Sequence, residues 1–149
     1  MNNGDEQYVY NSKTRLIQLM GKHKKPEWLP SSEDVRLFEL IATALFAWDP
    51  MYIKMALESV FSVEDIQWEY DIEAADILHR RGEWSDVAGL AKVIKEVMDQ
   101  YFGEDVSLKD CIRISEEVLL VVINDSAVLS MSNISVACNR QRSRLIRIL

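Results

Sequence analysis

The sequence predicts an all-α protein, an irregular bundle of roughly five or six helices, and three observations support this. Apolar residues recur at helical spacing, as in the stripe from Leu37 to Trp48. Serine or aspartate stands where helices are expected to begin, and Gly21, Gly82 and Gly103 stand where they are expected to end. No segment alternates clearly between apolar and polar residues, as a half-buried strand would.

The individual helices are predicted from their caps and apolar stripes. Ser31 and Asp34 form a capping-box-like S-x-x-D sequence at the start of one helix. Asp49 directly precedes Pro50 and is expected to cap the next. Trp84, between two helices, either packs against them or stays exposed as an anchor. Four helices are predicted over 13–20, from Ser31 or Ser32 to Trp48, from Met51 to Phe61 and from Asp71 to Arg81. Two more follow. One is capped by Ser85 and runs to Tyr101, and the other begins after Ser107, which forms a second S-x-x-D sequence with Asp110.

The chain length is typical of one domain. A chain of 149 residues should bury roughly 70% of its unfolded surface without disulfides or metals, so we predict a single helical domain over 1–149. Residues 1–12 are polar and expected to be flexible. Residues 128–136 show no clean period, and a helix, a short strand or irregular structure would all fit them. Residues 140–149 form a basic C-terminal segment with four arginines.

The apolar segments predict a cytoplasmic protein. The N-terminus has neither a basic region nor an apolar run, so it does not resemble a signal peptide. The longest purely apolar run, Val118 to Ile123, is far shorter than the ~20 residues of a membrane helix. We expect no membrane partner.

The net charge of −7 is unevenly distributed. Residues 33–117 carry eight Lys/Arg and twenty Asp/Glu, net −12, whereas residues 1–32 are net +2 and residues 118–149 net +3. Such an acidic body would repel phosphates, so nucleic acid is not expected as a partner. It favours a basic protein partner, although solubility alone explains the charge equally well. Residues 140–149 are expected to dock on this body; a membrane or nucleic-acid tail is the alternative.

Sequence motifs of catalysis are not found. The five glycines stand apart, so no phosphate-binding loop is present, and no G-x-S-x-G sequence occurs. His79 follows Asp76 by three residues, and a surface ion pair is expected there rather than a metal site. Cys111 lies in an apolar stripe, where a thiol would be inert. We therefore expect a non-enzymatic protein with no metal and no cofactor.

A cluster of carboxylates with two interleaved aromatic residues is the strongest candidate for a binding site. General acid–base chemistry, a partner-binding epitope and a solvated helix start are the three interpretations. The first needs a cleft, which nothing in the sequence indicates, whereas aromatic anchors flanked by carboxylates suit a basic, Arg-rich partner. The candidate partner-binding residues are Glu64, Asp65, Trp68, Glu69, Tyr70, Asp71, Glu73 and Asp76.

Two short motifs resemble a known family. The W-D-P at Trp48 to Pro50 and the E-Y-D-I-E at Glu69 to Glu73 are similar to those of small helical bacterial domains of unknown function. A helix like that of Asp86 to Tyr101 follows in that family, and the resemblance covers residues 37–122. In this chain the stretch between the motifs is longer and the two terminal arms are extra. Some proteins of this kind look like immunity proteins encoded beside bacterial toxins.

The functional hypothesis combines the acidic surface with that resemblance. We predict a bacterial immunity protein, which neutralises a basic toxin or effector domain by stoichiometric binding. The alternative is a regulatory adaptor or structural subunit that acts as a homo-oligomer through an exposed apolar helix face.

Overall fold

The computed structural model describes residues 11–103 and 105–131, with side chains as far as residue 124. Within these residues the chain forms helices and no strand, which confirms the predicted all-α class. The helices are α1 Ser12–Met20, α2 Ser32–Trp48, α3 Ile53–Leu57, α4 Val63–Ile66, α5 Asp71–His79, α6 Val87–Phe102 and α7 Leu108–Met131, with a 3-10 turn at Arg81–Glu83. None of them is both long and apolar enough to cross a membrane.

The predictions for the two termini fall largely outside the described residues. Residues 1–10 and 140–149 lie beyond them, and residues 128–136 are described only as far as Met131, which ends α7. Asn11 and Ser12, expected in a flexible arm, instead begin α1, because the Asn11 side chain accepts a hydrogen bond from the backbone N–H of Thr14.

The longer helices form a closed ring. Helix α2 packs against α5, α5 against α6, α6 against α7, and α7 back against α2, while α1 lies against both α2 and α5. Each helix contributes an apolar face to the core between them, which includes Phe38, Leu45, Ile77, Ile94 and Ile114. Burial of these faces is the main source of stability, since the stability of helices in proteins comes mostly from the packing of an apolar face.

Helix capping mostly follows the sequence. Ser31 and Asp34 form a complete capping box, with the Ser31 hydroxyl accepting from the Asp34 N–H and the Asp34 carboxylate from the Ser31 N–H. Gly103 ends α6 in the left-handed conformation, at φ 65°, which glycine adopts without strain. The predicted cap Ser85 is wrong: Asp86 caps α6, because its carboxylate accepts the Gly89 N–H at 2.8 Å.

The predicted helix from Met51 to Phe61 is much shorter in the structure. It begins only at Ile53, since Tyr52 has a positive φ of 57° and cannot continue a right-handed helix. It stops at Leu57, whose carbonyl oxygen accepts from the N–H groups of both Val60 and Phe61. The chain therefore crosses from α2 to α5 through two short helices outside the ring. No side chain of α3 is fully buried, although Ile53 and Leu57 are partly buried against the core.

Candidate partner-binding surface

The fold divides the eight predicted binding residues between the interior and the surface. Tyr70, Asp71 and Glu73 are buried, so in this conformation a partner cannot reach them as part of an epitope. Trp68 is half-buried against the core. The exposed members are Glu64, Asp65 and Glu69, and Asp76 is partly exposed.

Tyr70 joins the two sequence motifs inside the protein. Its side chain is 0% exposed, and its hydroxyl donates to the Asp49 carboxylate at 2.6 Å and accepts the Met51 N–H at 3.2 Å. Burial and the Asp49 carboxylate raise the pKa of Tyr70 well above its usual value, which keeps the hydroxyl protonated. The W-D-P and E-Y-D sequences therefore hold the connection from α2 to α5 in place.

The Asp49 side chain caps α3, although Asp49 lies four residues before the first residue of that helix. Its carboxylate accepts the N–H groups of Lys54 and Met55, at 3.1 and 3.2 Å. The predicted position of Asp49 as the N-cap residue is wrong, since Tyr52 holds that position and Asp49 ends α2, but the Asp49 carboxylate does cap the helix that follows. Asp49 itself has a positive φ of 49°, a conformation that a short polar side chain tolerates better than most.

Asp71 and Glu73 occupy the buried side of the cluster. Asp71 pairs with the Arg15 guanidinium at 2.7 Å and so connects α5 to α1. Glu73 is 5% exposed, and among the described residues its Oε2 atom has no hydrogen-bond partner. Burial, followed by repulsion from Asp71 and other nearby carboxylates, raises the pKa of Glu73.

Glu73→Gln is expected to stabilise the protein at neutral pH by on the order of 1 kcal/mol, because it removes an unpaired buried charge. The raised pKa means that the folded state binds more protons than the unfolded state between the two pKa values. The contribution of Glu73 to stability is therefore full below the pKa that this carboxyl has in the unfolded state. It is lost as the pH rises through the higher pKa of the folded state. Urea unfolding at several pH values should show the gain at neutral pH and its disappearance on acidification. The exposed Glu116→Gln, on α7, is the control, and an equal gain there, or none in Glu73→Gln, contradicts the assignment.

Asp76 is the centre of a polar cluster between α1, α5 and α6. It accepts hydrogen bonds from Tyr101 and Lys22, and the His23 Nε2 atom lies 3.3 Å from its Oδ1. Although burial opposes ionisation, these contacts hold the pKa of Asp76 below its usual value. The expected ion pair with His79 is wrong, since His79 instead stacks on His23 with the ring centroids 3.9 Å apart. Burial and then His23 lower the pKa of His79. The cluster thus fixes the loop after α1.

Cys111 and the remaining acids give no sign of metal binding in the described part of the chain. Burial raises the pKa of the Cys111 thiol to about 11, so the thiol is protonated at neutral pH. No group of three or more His, Cys, Asp or Glu side chains in residues 11–103 and 105–124 has an arrangement suited to a metal ion. Cys138 lies outside the described residues.

Exposed apolar side chains are concentrated where α3 and α4 join α2 to α5, a feature that the sequence reasoning missed. Ten large apolar side chains are exposed in the described part of the chain, and five of them lie within residues 52–63. These five are Tyr52, Met55, Val60, Phe61 and Val63. The predicted long helix would have buried one apolar face, whereas the short helices pack only part of this segment on the core and leave these five side chains in contact with solvent.

Exposed carboxylates flank these apolar side chains. Residues 52–69 contain Glu58, Glu64, Asp65 and Glu69, all exposed, against the single cation Lys54, for a net charge of −3. We call the exposed apolar and acidic residues of this segment the 52–69 surface. Part of it forms an open groove of about 260 Å³, lined by Ala47, Trp48, Asp49, Tyr52, Lys54, Met55 and Glu58.

The fold and this surface define a small helical protein with an acidic, partly apolar connection outside its helical ring. The chain belongs to the family described as a domain of unknown function, DUF1871, which matches residues 40–128. The match includes the whole 52–69 surface, and it agrees with the expected relationship to a domain of unknown function. No curated protein and no solved structure matches the chain. The resemblance to immunity proteins stays a prediction.

Proposed function

We propose that this protein is a non-enzymatic binding protein of the immunity type, a bacterial inhibitor that neutralises a basic toxin domain through a one-to-one complex. The observation that carries the proposal is the 52–69 surface, where exposed apolar side chains and carboxylates occur together outside the packed ring. Protein interfaces commonly combine an apolar centre with a polar rim. Acidic rims also speed the approach of a basic partner and select against acidic ones.

The rim of this proposed interface consists of Glu64, Asp65 and Glu69, the exposed members of the originally predicted cluster. Asp65 accepts a hydrogen bond from the Ser62 hydroxyl at 2.7 Å, and Glu69 is exposed directly before the buried Tyr70. The buried Tyr70 and Asp71 contribute by holding α5 in position and not by touching the partner. This distinction determines which substitutions test binding without unfolding the protein.

The gene beside the one that encodes this chain provides the first test. If its product is a toxin domain, expression of that domain alone should stop cell growth, and co-expression of this chain should restore it. The purified pair should then run as a one-to-one complex in light scattering. A growth defect that persists on co-expression, with no complex between the purified proteins, contradicts the proposal.

Reversing the three exposed charges, as Glu64→Lys, Asp65→Lys and Glu69→Lys together, should weaken the complex by about tenfold to a hundredfold. The loss arises because three attractive contacts with the basic partner become repulsive. Calorimetric titration measures the affinity, and circular dichroism checks that the variant is folded.

The matched control reverses three exposed carboxylates elsewhere, Glu27, Glu116 and Glu117, and so changes the net charge equally. It should leave the affinity within about twofold of the parent, because distant exposed charges are screened by salt. Equal losses in both variants would mean that net charge alone attracts the partner and that this surface is not the site.

The second candidate function, a homo-oligomeric adaptor, is favoured by the same exposed apolar side chains, since a second copy could cover them. Light scattering of the purified chain separates the two. The immunity-type proposal predicts a monomer, whereas the adaptor requires a stable dimer that dissociates when Phe61 is replaced by serine.

A further inference from the structure

We propose that the groove beside α3 receives a basic amphipathic helix of the partner, whose apolar face packs on Tyr52 and Met55 of the groove lining and on the exposed Phe61 after α3. The cations of that helix pair with the surrounding carboxylates. This inference rests on the proposed function, and it adds the chemistry of the segment that is bound. It begins from the separation of apolar and charged groups in the 52–69 surface.

The apolar part of the surface has no cover from the rest of the described chain. Val60 is 73% exposed, Tyr52 65% and Met55 64%, although Leu57 and Ile53 of the same segment pack against the core. The segment is therefore anchored on one side and open on the other. Monomeric proteins rarely leave such a concentration of large apolar side chains in water, and those that do commonly use it for binding.

The carboxylates in and near the groove favour a basic partner. Glu58 lies in the groove lining itself, and Glu64 and Asp65 are exposed a short distance along the chain. The one cation of the lining, Lys54, places its Nζ atom over the Phe46 ring, 5.4 Å from the centroid. A groove lined by both apolar side chains and carboxylates, with further carboxylates exposed along the same segment, fits a bound segment that is apolar on one face and basic on its flanks.

A second groove has the opposite charge pattern. It is larger, about 340 Å³, and it lies between the end of α1 and the following loop. Lys24 and Lys25 line it, and the Lys24 ammonium lies 5.8 Å from the centroid of the Trp28 ring. A basic segment would be repelled there, so charge complementarity assigns it to the smaller groove.

Backbone geometry favours a helix as the bound form. One way for an extended segment to bind is to add a strand to an exposed sheet edge, and residues 11–103 and 105–131 contain no strand that could offer such an edge. Recognition must then come from side chains. A helix supplies them at the spacing of one face, as in other complexes where a helix occupies a groove.

The test uses a synthetic peptide of about 18 residues, made of leucine and lysine so that one helical face is apolar, and it measures binding to the full chain by fluorescence anisotropy. We expect binding that weakens about tenfold or more in a Met55→Ser, Phe61→Ser variant, because these side chains form the apolar contact. The control variant Leu29→Ser, Leu108→Ser removes two exposed apolar side chains elsewhere and should bind like the parent. A peptide of leucine and glutamate with the same pattern should not bind.

Several results would overturn the inference. The basic peptide could fail to bind the parent chain, its affinity could fall equally in both variants, or the acidic peptide could bind equally well. The parent chain could also form a dimer that dissociates in the Met55→Ser, Phe61→Ser variant, which would make a second copy the occupant of the groove. A large gain in peptide affinity on changing Arg140, Arg142, Arg144 and Arg147 to glutamine would also overturn it, in favour of the chain's own basic segment.

The peptide measurement separates this inference from the proposed function. If the peptide binds as expected but the neighbouring gene product does not, the immunity-type function fails and the groove assignment stands. If the neighbouring gene product binds the Met55→Ser, Phe61→Ser variant as tightly as the parent, the groove assignment fails and the function stands.

Discussion

Replacing Trp84 with alanine is expected to lower the free energy of unfolding by about 3–5 kcal/mol, the usual cost of removing a large aromatic side chain from a core. Trp84 is 3% exposed, and its indole N–H donates to the carbonyl oxygen of Ile77 at 3.1 Å. The Arg81 guanidinium lies 4.1 Å from the centroid of the indole ring and donates to the Trp84 carbonyl oxygen. One side chain therefore joins the end of α5 to the start of α6.

Urea denaturation followed by circular dichroism measures this loss. Trp84→Phe should retain more stability than Trp84→Ala, since it keeps most of the buried surface and gives up the hydrogen bond to Ile77. The half-buried Trp28→Ala is the comparison for a tryptophan outside the ring and should cost less. A cost for Trp84→Ala no larger than that for Trp28→Ala would show that the connection between α5 and α6 does not depend on this residue.

Asp49→Ala is expected to cost about 2–4 kcal/mol, because three hydrogen bonds lose their acceptor at once and a buried donor is left unsatisfied. The donors are the Tyr70 hydroxyl and the N–H groups of Lys54 and Met55. Alanine also tolerates the positive φ at this position less well than aspartate does.

Thermal unfolding of three variants isolates these contributions. Asp49→Asn keeps a short polar side chain and one side-chain carbonyl oxygen, so it should lose less than Asp49→Ala. Tyr70→Phe removes the hydroxyl alone and should cost about 1 kcal/mol, the value of a single hydrogen bond. In the double variant Asp49→Ala, Tyr70→Phe, the losses of stability of the two single variants should not add, since both substitutions remove the same hydrogen bond. Full additivity would indicate that the contact between Asp49 and Tyr70 contributes nothing.

The parts of the fold that the sequence predicts best are those fixed by local interactions. Helix α2 follows from the capping box at Ser31 and a continuous apolar stripe, and α6 follows from its own stripe and Gly103. Helix α6 buries most of the face that its spacing indicates. The buried face of α2 is rotated from the predicted stripe, since it includes Phe38, Ala42 and Phe46, whereas Leu40, Ala44 and Trp48 are only half-buried. The shorter α3 could not be predicted in this way, because its limits depend on the positive φ of Tyr52 and on a turn around the Leu57 carbonyl oxygen.

The candidate site was only partly predictable for a similar reason. Nothing local distinguishes the buried Asp71 from the exposed Glu69, since the burial of Asp71 depends on Arg15, which is 56 residues away in the sequence. The role of Tyr70 depends equally on Asp49, 21 residues earlier. The exposed apolar side chains near α3 were missed because their spacing fits a buried helical face, and only the packing of the ring shows that no helix covers them.

Amide hydrogen exchange, comparing the free chain with its complex with the neighbouring gene product, tests most directly whether the 52–69 surface is the binding site. The proposal predicts that exchange slows mainly in residues 52–69, while α7 and the loop after α1 exchange as in the free chain. Slower exchange confined to α7 or to that loop, with residues 52–69 unchanged, would contradict it.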